Sequence, residues 1–331
     1  MHEDIVSSFA KHGFVFPVQV FSPDEAVYFR RKYEEYVKKF GSGEGQSRRV
    51  RGNRIFRVHV VAPWAAQIVR HPRLVAAVQA VLNCSSLLVW SSDLTTKPAN
   101  SSECFGWHQD CAYADLGPEH KLVTAWVALS GSSADNGCVR MLAGSHKSGE
   151  LRHKSELRSG ERNLVLGQIV SDVDIPSVIG ESDSVLEGEA REVISIADSR
   201  LLPDSDQVRE VLCQLEPGQA SLHGWRTVHS SQPNTSNCPR VGLAIRYMAA
   251  EVRQQNPVVR DRVSLVAGEY GGDWFEVEKE PVKEYRAEEW SEHKISMKRE
   301  WERRKKSKEL GLLPSHKEKG LSEQISNVIS D

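Results

Sequence analysis

His108 and Asp110 stand two residues apart in Trp107-His108-Gln109-Asp110, and a third imidazole, His229, lies far downstream in Val228-His229-Ser230-Ser231. Two histidines and one carboxylate are the donors with which non-haem iron(II) sites hold the metal on one face, leaving the other face open. On an extended segment, residues i and i+2 point the same way, so a His-x-Asp pair supplies two ligands at once. The third must come from a distant strand. The tripeptide alone is common, and His2-Glu3-Asp4 and His316-Lys317-Glu318 resemble it near the chain ends. Its surroundings distinguish the first: it precedes a strand-like run, and His229 is followed eleven residues on by Arg240. A planar guanidinium binds a carboxylate through two parallel hydrogen bonds, so Arg240 suits an anionic cosubstrate beside the metal.

The elements that must position these residues can be read in outline. Residues 2–12 form an amphipathic pattern. Ser22-Pro23-Asp24-Glu25 is a capping box with Pro at the first helical position, and the helix it starts ends at Gly41. A second helical pair covers about 63–71 and 72–83, opened by Pro63 and Pro72. Gly41 to Gly52 reads as a mobile loop. After Cys84 the character changes to short strand-like runs: Leu87–Leu94, Leu122–Leu129, Gly137–Leu142, Gln219–His223 and Val241–Met248. Turn signals such as Asp135-Asn136-Gly137 and Glu216-Pro217-Gly218 separate them. Short strands with such turns predict a sandwich or barrel.

Residues 150–210 break the strand pattern and are expected to be a long insertion, either a solvated loop or a lid. Acidic residues outnumber basic ones from Asp172 to Asp206, which suggests a cationic group on the substrate. Glu284 to Leu310 is expected to be a charged helix that packs a stripe of Trp290, Met297 and Trp301 on the domain. Arg260 and Arg262 beside Asp261 read as a surface ion-pair cluster. The organisation expected is one oxygen-chemistry domain over 1–282, helical over 1–84 and β-rich over 85–282, followed by a charged helix and tail over 283–331.

The chain of 331 residues carries 39% hydrophobic and 27% charged residues and a net charge of −2. Such a balance gives no basic field for nucleic acid or an anionic membrane, and no apolar run reaches the roughly 18 residues of a membrane span. The first residues do not read as a secretory signal. Six scattered cysteines without CxxC spacing argue against a zinc finger and fit free thiols in a reducing, cytoplasmic setting.

Two stretches carry a family resemblance: WHQDCAY…VTAWVALSGSSADNGCVRMLAGSHKSG over 107–149, and PGQASLHGWRTVHSSQPNTSNCPRVGLAIRYM over 217–248. With the opening HGFVFPVQVFSPDEA, they are similar to the phytanoyl-CoA dioxygenase family over roughly residues 5–275. The resemblance implies a mainly β fold, a double-stranded β-helix (jelly roll, cupin-like) with flanking helices. It implies His108, Asp110 and His229 on iron(II), with 2-oxoglutarate chelating the same metal and O2 as oxidant. Arg240 and Ser231 would hold the distal carboxylate of 2-oxoglutarate, and Trp126, Gln109 and Lys97 match positions around the cosubstrate pocket. Asp110 favours hydroxylation over halogenation, since related halogenases replace this carboxylate. Desaturation, epoxidation and ring formation use the same ligands.

Other residues keep two readings. His223, six before His229, is a pocket-wall residue or a core histidine. Tyr113 lines a substrate pocket or packs as an ordinary aromatic. Arg246 is a substrate contact or a structural cation, and His146 is a turn hydrogen-bonder. A small-molecule substrate is expected, with oligomeric state open. The rival readings are a binding module without turnover and a zinc hydrolase; the latter lacks an HExxH-like general base and leaves Arg240 without a purpose.

Overall fold

In a computed structural model, the residues described are 2–41, 54–154, 169–170, 193–196, 198–202, 209–255 and 259–309. The loop expected over 41–52 and most of the 150–210 insertion, including its acidic stretch, lie outside them. The helices are α1 (His2–His12), α2 (Pro23–Phe40), α3 (Pro63–Val69), α4 (Pro72–Leu82) and α5 (Ala287–Glu309). The strands are β1 (Phe14–Gln19), β2 (Arg54–Phe56), β3 (Leu87–Lys97), β4 (Phe105–His108), β5 (Leu116–Gly117), β6 (Leu122–Ala128), β7 (Val139–Leu142), β8 (His153–Lys154) and β9 (Ile169–Val170). They continue with β10 (Val193–Ile196), β11 (Glu210–Cys213), β12 (Gln219–Gly224), β13 (His229–Ser231), β14 (Arg240–Ala249), β15 (Arg253–Gln254), β16 (Arg262–Ala267) and β17 (Glu276–Val277).

Two sheets face each other. The larger runs β1-β12-β6-β14-β3-β16-β17 with β2 also on β3, and the smaller runs β10-β11-β7-β13-β4. Side-chain alternation divides the larger sheet's two faces. Val123, Ala125 and Val127 of β6, Ala220 and Leu222 of β12, and Val241, Leu243 and Ile245 of β14 pack with α2, α3 and α4 in one hydrophobic core. The intervening residues Thr124, Trp126, His223, Arg240, Ala244 and Arg246 line the cavity between the sheets. Period two therefore commits each strand to helices on one side and chemistry on the other.

One irregularity in β3 matters for the site. Arg246 pairs with Ser91, but the next residue, Tyr247, pairs with Val89, so Trp90 is an extra residue. A bulge of this kind shifts the phase of alternation. Before it, Leu87 and Val89 join the helix-side core. Beyond it, Asp93 and Thr95 face the cavity.

The helix caps follow the sequence. Glu25 N donates to Ser22 Oγ at 3.3 Å and Ser22 N donates to Glu25 Oε2 at 2.8 Å, closing the expected capping box. α4 ends at Asn83, which adopts the left-handed conformation with φ 46°.

The last helix departs from expectation. Met297 is buried and Trp290 packs edge-on against Phe40, but the buried face also carries Glu289, His293, Ser296, Glu300 and Arg303. These meet buried partners: Arg303 pairs with Asp261 at 2.7 Å, and Arg262 reaches Glu292 at 2.9 Å. Arg57 pairs with Glu278, which also accepts from Ser296 Oγ at 2.5 Å. The Arg262–Asp261 cluster is thus interior and holds α5 down; only Arg260 is exposed. A charge-rich helix conceals such a face because its composition looks the same whichever side is buried. Among the described residues, no helix is long and apolar enough to cross a membrane.

Candidate metal and cosubstrate site

β4 carries His108 and β13 carries His229, and the two residues are direct cross-strand partners. Asp110 follows at the start of a 3-10 turn over Asp110–Tyr113. All three are buried, and one potential ligand atom from each lies within 4.8 Å of the others. The histidine rings are 4.1 Å apart. Burial holds His108 down to about 4 and His229 well below its ordinary value, so both are neutral, as ligation requires. Burial alone would push Asp110 up. Arg246, helped by His223 and His229, outweighs it and holds the carboxyl well below the ordinary range.

Both histidines are oriented by the same device. His108 Nδ1 donates to the carbonyl of Gly106 at 2.8 Å, and His229 Nδ1 to that of Thr227 at 2.9 Å. Each ring is fixed from two residues upstream in the tautomer that presents Nε2 as a lone pair. Thr124 Oγ1 donates to Asp110 Oδ2 at 2.5 Å. The donor set, its burial and its oriented tautomers fit a divalent metal of the iron(II) type.

Gln109 is corrected by this geometry. As the residue between two inward side chains it points away from the cavity, which it does not line. Its Nε2 donates to Gly149 O at 2.8 Å and Arg226 O at 2.7 Å, and its Oε1 accepts from Leu151 N at 2.8 Å. Its own amide donates to His153 Nε2 at 3.0 Å. Gln109 therefore ties the His-x-Asp segment to two neighbouring loops.

Arg240 and Trp126 do line the cavity, with the guanidinium 5.0 Å from the indole centre. Gly242 permits this stacking, because a Cβ there would lie 2.1 Å from Trp126 Cζ2. Arg240 is 2% exposed, and its Nη1 donates to the carbonyl of Gly137. Among the described residues no carboxylate pairs with it. Burial brings its pKa down only to about 10, so it stays charged. Ser231 also lines the cavity, and Lys97, just behind it, donates to Ser231 Oγ at 2.7 Å and to Gln232 O. Burial, with Arg240 nearby, pushes Lys97 down to about 6. Two buried basic groups without a carboxylate partner among the described residues fit the distal carboxylate of a dicarboxylic cosubstrate.

Arg246 and Asp93 form an ion pair of 2.7 Å at the other end of the cavity. His223 lies there too, its ring 4.4 Å from that of His229. The side chain of Tyr113 is outside the described residues. His146 bonds the carbonyl of Ala10 at 3.2 Å through Nε2, as a turn residue would. Thr124 and Asp93 were not anticipated. Thr124 could have been found by extending the alternation of β6 from Trp126; Asp93 could not, because the bulge at Trp90 has no sequence signature.

A family model for phytanoyl-CoA dioxygenase matches residues 9–242. The chain belongs to the phytanoyl-CoA dioxygenase family. It is thus a member of the iron(II)/2-oxoglutarate-dependent oxygenases with a His108–Asp110–His229 triad. An ectoine dioxygenase of Bordetella bronchiseptica is 25% identical over 281 residues, covering 79% of this chain and 86% of that one. The non-heme monooxygenase ThoJ, in its apo structure, is 26% identical with a TM-score of 0.68, over 90% of this chain and 96% of the other. The epimerase SnoN, solved with Fe3+, alpha ketoglutarate and nogalamycin RO, shares the fold at 17% identity and a TM-score of 0.57, over 85% and 95% of the two chains. The jelly roll expected for this family member is the fold observed.

Proposed function

We propose that this family member is an iron(II)- and 2-oxoglutarate-dependent dioxygenase that hydroxylates a small molecule and releases succinate and CO2. The observation that carries the reading is Arg240: a charged guanidinium buried beside the triad, without a carboxylate to pair with among the described residues. Leaving such a charge buried is costly, and a dianionic cosubstrate removes the cost. His108, Asp110 and His229 would hold the metal. Arg240 and Ser231 would grip the cosubstrate's far carboxylate, with Lys97 behind Ser231 and Trp126 as the stacking wall. When bound, iron(II) and 2-oxoglutarate supply the oxidising chemistry, consuming O2 and placing one oxygen atom in the substrate. The protein's own task is to orient the substrate's C–H bond and keep bulk water out.

None of the six cysteines forms a disulfide among the described residues, which supports a reducing, cytoplasmic setting. The test is succinate formation from 2-oxoglutarate by iron(II)-loaded protein in air, with candidate substrates added and products analysed by mass spectrometry. Succinate in wild type and none in His108→Ala supports the reading. No succinate in wild type with bound iron, whatever is added, returns the protein to a binding role.

A further inference from the structure

The cavity has two ends, both set by β14. Arg240 and Arg246 face into it from the same strand, six residues apart, or about 20 Å along it. The Arg240 end, with Lys97 and Ser231, is the cosubstrate end. At the other end a polar row crosses the sheet: His223 pairs with Thr124, and Thr124 with Arg246, on adjacent strands.

Two members of this row are already engaged. Thr124 donates to Asp110, and Arg246 is paired with Asp93 at 2.7 Å while its Nη2 lies 3.9 Å from Asp110 Oδ1. His223 is not engaged in this way. It is 2% exposed and lines the cavity, yet neither ring nitrogen makes a hydrogen bond to any other described residue. Its Nε2 is 3.7 Å from Asp110 Oδ2, beyond hydrogen-bond length. A core histidine finds protein partners, whereas a buried one aimed into a cavity without them is a recognition group. In either protonation state the ring carries at least one N–H donor.

The charges of this end are matched among themselves. Asp93 neutralises Arg246, and Asp110 is a metal ligand. Among the described residues, a substrate with a full positive or negative charge near the reacting carbon would meet no opposite charge left to pair with. Of the cavity's apolar lining, Phe105 and Val139 are cross-strand partners of Ser231 at the cosubstrate end, and Ala244 lies on β14 two residues from Arg246.

Resting on the oxygenase reading above, we propose that His223 is the substrate-recognition residue. It hydrogen-bonds an uncharged oxygen group of the substrate, a hydroxyl or carbonyl, close to the carbon that is oxidised.

The experiment compares four ring compounds of similar size as probes: benzyl alcohol, toluene, benzylamine and benzoate. Each is titrated by ligand-observed NMR into full-length protein loaded with zinc(II) in place of iron and saturated with 2-oxoglutarate. Benzyl alcohol is expected to bind most tightly. His223→Phe is expected to weaken benzyl alcohol about tenfold, the worth of one hydrogen bond to a buried group, without weakening toluene. His223→Gln, which keeps a donor, is expected to retain most of the affinity. Both variants should keep wild-type affinity for 2-oxoglutarate, which sits at the other end; this also reports that they fold. Tightest binding by benzylamine or benzoate, equal affinity in wild type and both variants, or no probe binding to wild type would each overturn the proposal. Should 2-oxoglutarate itself not bind the metal-loaded protein, the oxygenase reading fails, and the probe pattern, read with metal alone, still decides the role of His223.

Discussion

Thr124 Oγ1 donates a hydrogen bond of 2.5 Å to Asp110 Oδ2, linking the sixth strand of the fold to the carboxylate of the triad. Asp110 sits in a short 3-10 turn, outside any sheet ladder, so its side chain needs a tether that His108 and His229 obtain from nearby carbonyls. Partners of this kind are worth about 10- to 100-fold in metal affinity. Thr124→Val is expected to weaken cobalt(II) or iron(II) binding within that range, and Thr124→Ser to restore most of it. Anaerobic competition titration against a chelator measures both.

Gln109 performs the corresponding service for the backbone. Removing its side chain leaves the carbonyls of Gly149 and Arg226 and the amide of Leu151 without the partner they have now. Gln109→Ala is expected to cost about 2–4 kcal/mol of stability. It should also shrink the rise in Tm that metal gives, because the His-x-Asp segment loses its anchor. Thermal melts with and without zinc(II) separate the two effects. An unchanged metal increment would mean that the anchor serves stability alone.

The cosubstrate end can be disturbed without touching the triad. Gly242→Val drives a side chain into Trp126, whose ring would be 2.1 Å from the new Cβ, and so disrupts the surface on which Arg240 stacks. Arg240→Met removes the charge outright. Both are expected to lower 2-oxoglutarate affinity, Arg240→Met by about 100-fold as a charge-assisted pair is lost, while metal affinity stays within a few-fold of wild type. Isothermal titration with zinc(II)-loaded protein reads this directly.

Acid should loosen the fold in two stages that overlap the seat of the last helix. Burial holds His59 down to about 3 and His293 to about 4, against 6.5 when unfolded. Below 6.5 the unfolded chain takes up protons that the fold refuses, so stability falls as pH drops from 6.5 towards 3. For Glu278, burial raises the pKa but Arg57, His59 and two serines outweigh it and bring it to about 2. Its contribution is complete above 4.5 and is lost as pH falls through 2. His108 and His229 act in the same direction in metal-free protein. The expected result is a Tm of metal-free protein that declines below pH 6.5 and steepens below 4.5. Replacing His59 and His293 together by Gln should flatten the first part only.

The parts of the molecule governed by local rules were legible in the sequence. Alternation and turn residues gave β3, β6, β7, β12 and β14 close to their observed limits, and proline and capping signals gave α2, α3 and α4. His108, Asp110 and His229 could be paired because i and i+2 share a face and because the motif is distinctive. The same rule, applied to Gln109, would have turned it away from the cavity; family likeness had placed it inside. β1 has no clear strand signal because Pro17 interrupts its apolar run, a residue that an edge strand tolerates. Asp93 depends on a bulge, and the buried charges under α5 depend on tertiary partners outside the helix, such as Asp261 for Arg303 and the Arg57–Glu278 pair. Neither has a local signal.

The central claim is that one cavity assembles a metal on His108, Asp110 and His229 and a 2-oxoglutarate on Arg240. The direct measurement is the visible metal-to-ligand charge-transfer band of anaerobic protein given iron(II) and 2-oxoglutarate. The account predicts the band in wild type and in His223→Ala, its loss in His229→Ala, and its weakening at fixed 2-oxoglutarate in Arg240→Ala. Bound iron without the band in wild type, or a band that survives in His229→Ala and disappears in His223→Ala, would contradict it.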